Sequence, residues 1–330
     1  ISHAGRILAL EELHWPFELS ADLETVGAYN YGNKLETGMT AHPKICAETG
    51  ELLFFAYGIT PPYLTYHRVS ANGELVQSEQ IEVKGATMVH DFNITRNYVI
   101  FMDLPLVWDF ENAANTGLPI QWSDEYGARL GVMPRNGTNK DVVWYTIDHC
   151  YVYHPLNAYE EGDDIVIDVC RMAHSMKPGA PEVPALLHRW TIHQRTGTVS
   201  ESQLDDRPVE FPRVPDALVG QKNRYGYMAE FGSGLPTAVA FRKYDMQTGT
   251  SQAHELKNGR VGGEPVFVPA ADGTSEDDGY LMSFVYDPAD NKSELVIIDA
   301  SNVSNDPVAR IHLPTRVPVG FHGSWVADPI

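Results

Sequence analysis

Short runs of β-branched and aromatic residues, each closed by turn residues, dominate the chain: Leu52–Ile59, Tyr63–Val69, Tyr98–Leu104, Val142–Ile147, Ile165–Cys170, Leu186–His193, Tyr280–Tyr286 and Leu295–Ile298. Such runs predict strands. Between many of them stand Thr49-Gly50, Asn72-Gly73, Thr196-Gly197 and Thr248-Gly249, where glycine supplies the positive φ of a tight hairpin. Pro and Gly interrupt most windows of helix length, so long amphipathic helices are not expected. Many short strands joined by hairpins mean a sandwich, a barrel or a propeller. For a chain of 330 residues the propeller of four-stranded blades fits best. No break in composition marks a linker, and residues 1–330 read as one all-β domain. Ile7 to Leu10 reads as the middle of a strand, and with no initiating Met the expectation is that sequence precedes Ile1.

Charge narrows the function. Lys and Arg number 24 against 44 Asp and Glu, a formal charge of −20. Such a balance repels a phosphate backbone, so nucleic acid is not an expected partner, and any membrane contact must be hydrophobic. Cys46, Cys150 and Cys170 are far apart, with no CxxC pair, which suits buried thiols in a reducing compartment. No apolar run approaches the ~20 residues that span a bilayer, and the first residues lack a signal-type core. A cytoplasmic protein is expected, with Leu104–Phe110 (LPLVWDF) either an apolar patch for contact with a membrane or a buried strand end. The acidic stretch Asp272–Gly279 departs from the calcium-loop pattern and reads as a solvated turn.

Of the 13 His, four stand beside strand starts or tight turns: His42 in TAHPK, His90 in MVHDF, His154 in YHPLNAYE and His322 in GFHGSW. Their separations are too large for a local metal motif, so any common site must be built by the fold. A propeller can do this, because the inner strands of its blades converge on one axis. Taken singly, each reads first as a half-buried imidazole bonded to a backbone carbonyl or as a surface residue.

Six phrases in order, AHPKICAETGELLFF (41–55), MVHDFNITRNYVIFMDLPL (88–106), YHPLNAYEEGDDIVID (153–168), VEFPRV (209–214), GGEPVFVP (262–269) and GFHGSWV (320–326), resemble the carotenoid cleavage oxygenase family. That family includes the apocarotenoid oxygenases, lignostilbene dioxygenases and the retinoid isomerase. The resemblance implies a seven-bladed β-propeller with one Fe(II) per chain on its axis, held by His42, His90, His154 and His322. Three glutamates that accept the free ring N–H of such ligands map to Glu12 in LALEELHWPFEL, Glu210 and Glu264. A carboxylate there would fix the imidazole tautomer and raise its basicity.

The implied reaction is O2-dependent cleavage of one C=C bond of a carotenoid or apocarotenoid into two carbonyl products, with no side chain needed as nucleophile or general base. Phe92, Tyr153, Phe321 and Trp325 adjoin the histidine motifs and are candidates to line an apolar substrate tunnel, although core packing is the favoured reading of each. Two departures matter. The family's N-terminal portion, with the first blade, is expected to be missing from this sequence. The position before Glu12, a Lys in stilbenoid-cleaving members, is Glu11 here, which disfavours a para-hydroxystilbene because a carboxylate cannot stabilise a phenolate. The remaining alternatives are a stilbenoid or phenylpropene substrate, an isomerase or hydrolase using the same iron as a Lewis acid, and a catalytically inactive propeller. No GxSxG elbow supports a serine hydrolase.

Overall fold

Strands follow one another in antiparallel groups of four throughout the computed structural model, which describes residues 1–232 and 237–327. The first group is Ser2–His3, Arg6–Ala9, Phe17–Leu19 and Thr25–Ala28; the second is Lys44–Ile45, Leu52–Tyr57, Leu64–Val69 and Leu75–Gln80. Asn93–Ile94, Tyr98–Asp103, Ala128–Pro134 and Val143–Ile147 make the third. The fourth uses Tyr151–Glu161, Asp164–Met172, Leu186–His193 and the first half of Thr198–Arg213. The second half of that 16-residue strand opens the fifth group, with Tyr225–Phe231, Ala238–Asp245 and Thr250–Glu255. Val266–Pro269, Gly279–Asp287, Lys292–Asp299 and Ala309–His312 complete the sixth. This is a β-propeller, with the outer strand of one blade feeding the inner strand of the next.

The hydrophobic cores lie between successive blades. Leu52–Tyr57 is buried at all six positions. Its alternating side chains serve two cores: Leu52 and Phe54 pack with Tyr31, Leu35 and Met39, whereas Leu53, Phe55 and Tyr57 pack with residues of the third blade such as Val99, Phe101 and Met133. A strand buried on both faces reads as a continuous apolar run and not as a polar alternation, which explains the LLFFAY string. The same device joins the third blade to the fourth through Ile100, Leu130, Ile165 and Trp190, and the fifth to the sixth through Tyr227, Phe241, Leu281 and Val296.

The turn glycines behave as the sequence predicts: Gly50, Gly73, Gly197 and Gly249 have φ between 68° and 83°. The one α-helix among the described residues is the short Phe110–Thr116. It follows a strand, Leu106–Trp108, that pairs with Ile120–Trp122. The LPLVWDF stretch therefore divides: Leu104 and Leu106 are buried and Phe110 is exposed, stacked on Trp108. Among the described residues no helix is long and apolar enough to cross a membrane. All three cysteines are buried and unpaired. In the acidic stretch, Glu276 accepts from the backbone N–H groups of Arg224 and Tyr225, Asp277 pairs with Lys243, and Asp278 accepts from Thr274 and Ser275. Three of its four carboxylates are thus committed to partners within the protein.

Candidate metal centre

The inner edges of the second, third and fourth blades and the segment after the sixth each deliver one histidine to a common point. His42 precedes the inner strand of the second blade, where its N–H bonds to Thr40 Oγ1 at 3.0 Å, and His90 precedes that of the third. His154 lies within the inner strand of the fourth, at an irregularity in the pairing around Pro155. Proline has no N–H for the ladder, and the resulting bulge re-aims its neighbour. His322 follows the last strand of the sixth blade.

Together the four histidines offer nitrogens that lie within 4.8 Å of one another. His90 Nε2 is 3.1 Å from both His42 Nε2 and His154 Nε2. The His42 ring centroid lies 4.5 Å from that of His322, and the His154 centroid 4.7 Å from it. The side chains of His42 and His154 are 10% exposed and that of His322 24%.

Carboxylates settle which ring nitrogen is bare. His154 Nδ1–H donates to Glu210 Oε2 at 2.5 Å, His322 Nδ1–H donates to Glu264 Oε1 at 3.1 Å, and His90 Nδ1 contacts Glu12 Oε1. An ionised carboxylate only accepts, so the proton sits on Nδ1 and leaves Nε2 as a lone pair. Lone pairs aimed at one another from 3.1 Å repel unless a cation lies among them. Two imidazole nitrogens bound to one ion at about 2.0–2.1 Å and at a right angle lie roughly 3 Å apart. The donor set and its spacing therefore fit a divalent first-row metal ion, for which imidazole is a favoured ligand.

The backbone that presents the glutamates is unusual. Glu210 and Arg213 are an odd number of residues apart and would face opposite ways in a regular strand. A bulge intervenes: Phe211 has φ 51°, and the register slips between Glu210 and Arg213. Both side chains then reach inward, Glu210 to His154 and Arg213 to Glu264. Glu264 is the hub of its side, accepting from Arg213 Nε at 2.8 Å, Arg213 Nη2 at 2.9 Å and the Gly323 N–H at 2.9 Å, besides His322. Burial works to raise its pKa, but Arg213 and His322 win and hold it down to about 2. For His154 burial is likewise outweighed, here by Glu210, and its pKa is raised. Burial first, then the neighbouring imidazoles and Lys44, drive that of His42 well below the usual value.

His42 differs from the other three. Its nearest carboxylate, Asp91, stands 3.7 Å from Nδ1 and is paired instead with Lys44 at 2.8 Å. Asp91 is part of the MVHDF phrase and 2% exposed, a combination the sequence alone does not single out. Nor does the sequence single out Tyr57, whose hydroxyl donates to Glu12 Oε2 at 2.6 Å.

The four aromatic candidates fare differently. Tyr153 stands edge-on to His90 with ring centroids 5.3 Å apart and bonds to Ser175 through its hydroxyl. Phe92 is fully buried, packed edge-on against Phe55 in the core between the second and third blades. Phe321 and Trp325 are 77% and 50% exposed, so for these two the favoured core reading is corrected. They follow the last strand, and the described residues place no sheet over them.

A propeller whose axis gathers four histidines, three of them backed by glutamates, belongs to a narrow class of proteins. Residues 1–327 match the family described as "Retinal pigment epithelial membrane protein". The chain is 35% identical to a carotenoid cleavage oxygenase of Mycobacterium tuberculosis, over 98% of this chain and 75% of that one. It is 34% identical to a carotenoid 9,10(9',10')-cleavage dioxygenase of Crocus sativus, over 99% of this chain and 65% of the plant protein. Among solved structures, the lignostilbene dioxygenase of Pseudomonas brassicacearum superposes with a TM-score of 0.90 at 31% identity, covering 99% of this chain and 74% of that one. A cobalt-substituted Synechocystis ACO gives 0.88 at 27% identity, with 99% and 73% covered. The chain belongs to the carotenoid cleavage oxygenase family.

Proposed function

We propose that this protein is a non-haem iron dioxygenase that uses O2 to cleave one C=C bond of a carotenoid or apocarotenoid into two carbonyl products. The observation that carries the reading is the convergence of four imidazoles, three of them with a carboxylate at Nδ1 that leaves Nε2 bare. His42, His90, His154 and His322 would hold the iron, and a four-nitrogen set leaves coordination positions free. Iron bound there supplies the redox chemistry that activates O2 towards an alkene.

The chain's own residues do the rest. Glu12, Glu210 and Glu264 keep the donor nitrogens of His90, His154 and His322 unprotonated and aimed. The half-buried position of the site excludes much of the bulk water, and imidazole lone pairs committed to the iron would not be free to act as general bases towards the substrate. Tyr153, packed against His90, offers an aromatic wall along which one double bond could be aligned. Cation binding also offsets the concentration of negative charge that three carboxylates bring to the axis.

The test is aerobic incubation of the iron-loaded chain with apocarotenoids under labelled oxygen. Aldehyde products carrying the label support the reading. Isomerised or hydrated products without label would replace it with Lewis-acid chemistry, and no turnover with iron bound would favour the inactive propeller. A stilbenoid substrate is the second reading, because the lignostilbene dioxygenase superposes well. Against it, the Glu11 side chain is 79% exposed and faces His14, and as an anion cannot serve a phenolate.

A further inference from the structure

The three glutamates are not held alike. Glu210 lies on an inner strand and its Oε2 accepts the N–H of Phe211 at 2.6 Å; Glu264 directly precedes an inner strand and is clamped by Arg213 and the Gly323 N–H. Glu12 stands on neither. It lies in the connection between Arg6–Ala9 and Phe17–Leu19, two later strands of the first blade, and reaches the axis from the side. Among the described residues no arginine, lysine or backbone N–H donates to it. Apart from the contact with His90 Nδ1, its one donor is the hydroxyl of Tyr57, at 2.6 Å, from the end of a strand of the second blade.

Tyr57 is 8% exposed and belongs to the core between the second and third blades, so its ring is fixed by packing and its hydroxyl is presented at a set place. The connection bearing Glu12 is otherwise tied to the segment before the second blade. Met39 N–H donates to His14 O at 3.0 Å, and Gly38 lies so close to Leu13 that a Cβ would sit 2.6 Å from its carbonyl. With one oxygen of Glu12 on Tyr57 and the other against His90, the carboxylate has its plane and its distance defined by two different blades.

We infer that Tyr57 is a positioning residue of the metal centre: by holding Glu12 it sets the orientation and donor strength of His90. This rests on the reading of the four histidines as metal ligands. A carboxylate with a free second oxygen can rotate away from the imidazole; a hydrogen bond to that oxygen removes the freedom. Partners of this kind typically change metal affinity by about 10- to 100-fold when removed.

Cobalt(II) serves as the probe, titrated anaerobically into metal-free protein and followed by its visible ligand-field absorption, with far-ultraviolet circular dichroism as the control for folding. Tyr57→Phe, which removes one oxygen and keeps the ring, is expected to weaken cobalt binding about tenfold and to shift the absorption band, with an unchanged dichroism spectrum. Glu12→Gln is expected to lose at least as much, and the Tyr57→Phe/Glu12→Gln double variant no more than Glu12→Gln alone, since coupled residues are not additive. Wild-type affinity and band position in Tyr57→Phe would overturn the inference. So would a further full loss from Tyr57→Phe in the Glu12→Gln background, because the tyrosine would then act by another route. If the unaltered protein binds no cobalt, the metal reading itself falls and takes this inference with it, an outcome distinguishable from the other two.

Discussion

Glu264→Gln changes one atom in the best-connected carboxylate of the axis. Four donors converge on Glu264: Arg213 Nε and Nη2, the Gly323 N–H and His322 Nδ1, at 2.8 to 3.1 Å. A glutamine has one accepting oxygen, and its amide nitrogen would point a fifth donor at the others. At least two hydrogen bonds to a charged group are then lost, at about 1.5–3 kcal/mol each. Breaking a buried ion pair from one side costs a comparable 3–5 kcal/mol. Because the Arg213 side chain keeps 27% exposure, the lower end, about 3 kcal/mol, is expected. The measurement is urea unfolding of metal-free protein followed by tryptophan fluorescence, in parallel with Glu210→Gln. Glu210 accepts from His154 and the Phe211 N–H without any arginine, so its variant should lose about 1–2 kcal/mol. Adding Arg213→Met to Glu264→Gln should recover part of the loss, since the stranded cation is gone. Equal unfolding midpoints for the two glutamine variants, or a double variant less stable than Glu264→Gln, would show that the Arg213 clamp does not carry the stability assigned to it.

Replacement of His154 by alanine removes a histidine that stands 3.1 Å from His90, and iron in the reconstituted chain should fall from about one per chain to a trace, as read by elemental analysis. Gly38→Ala should push the Leu13 carbonyl, and Glu12 with it, and so lower cobalt affinity about tenfold while the dichroism spectrum stays the same. His67 is buried with Thr37 and Ser78 on its two nitrogens, and burial lowers its pKa from 6.5 to about 4. The unfolded chain therefore takes up a proton below pH 6.5 that the folded chain refuses until about 4. Stability should fall by roughly 3 kcal/mol across that interval, at about 1.4 kcal/mol per pH unit. His67→Gln should flatten this part of the profile of unfolding midpoint against pH.

Much of the architecture is written locally. Hairpins at Gly50, Gly73, Gly197 and Gly249 follow from residues that can adopt positive φ, and the strands between them from runs such as LLFFAY and LLHRWTIH. Strand ends shift by up to three residues, as where the expected Leu295–Ile298 is Lys292–Asp299, because the ladder stops where a partner ends and not where apolarity does. The histidines are marked by their phrases, and the structure gathers all four. What holds them is less legible. Arg213 reaches Glu264 only because Phe211 enters a left-handed conformation inside a strand, which nothing in VEFPRV announces. Tyr57 and Glu12 are separated by 45 positions and joined by the fold alone. Phe321 and Trp325 illustrate the reverse: proximity in sequence to His322 does not place a side chain within a core.

His42 and His322 are 280 positions apart and come to lie with rings 4.5 Å from each other. A centre collected from the chain's early, middle and late parts has no meaning for a partly synthesised or partly folded polypeptide. Until the last strand of the sixth blade is in place, His322 and the Gly323 N–H that steadies Glu264 have nowhere to stand. An ion that needs all four donors would thus favour the completed fold over every intermediate, with a gain that grows as the logarithm of its concentration over its dissociation constant. Occupancy of the axis would then act as an assembly check, and metal starvation during synthesis would leave a larger share of chains unfinished and open to proteolysis.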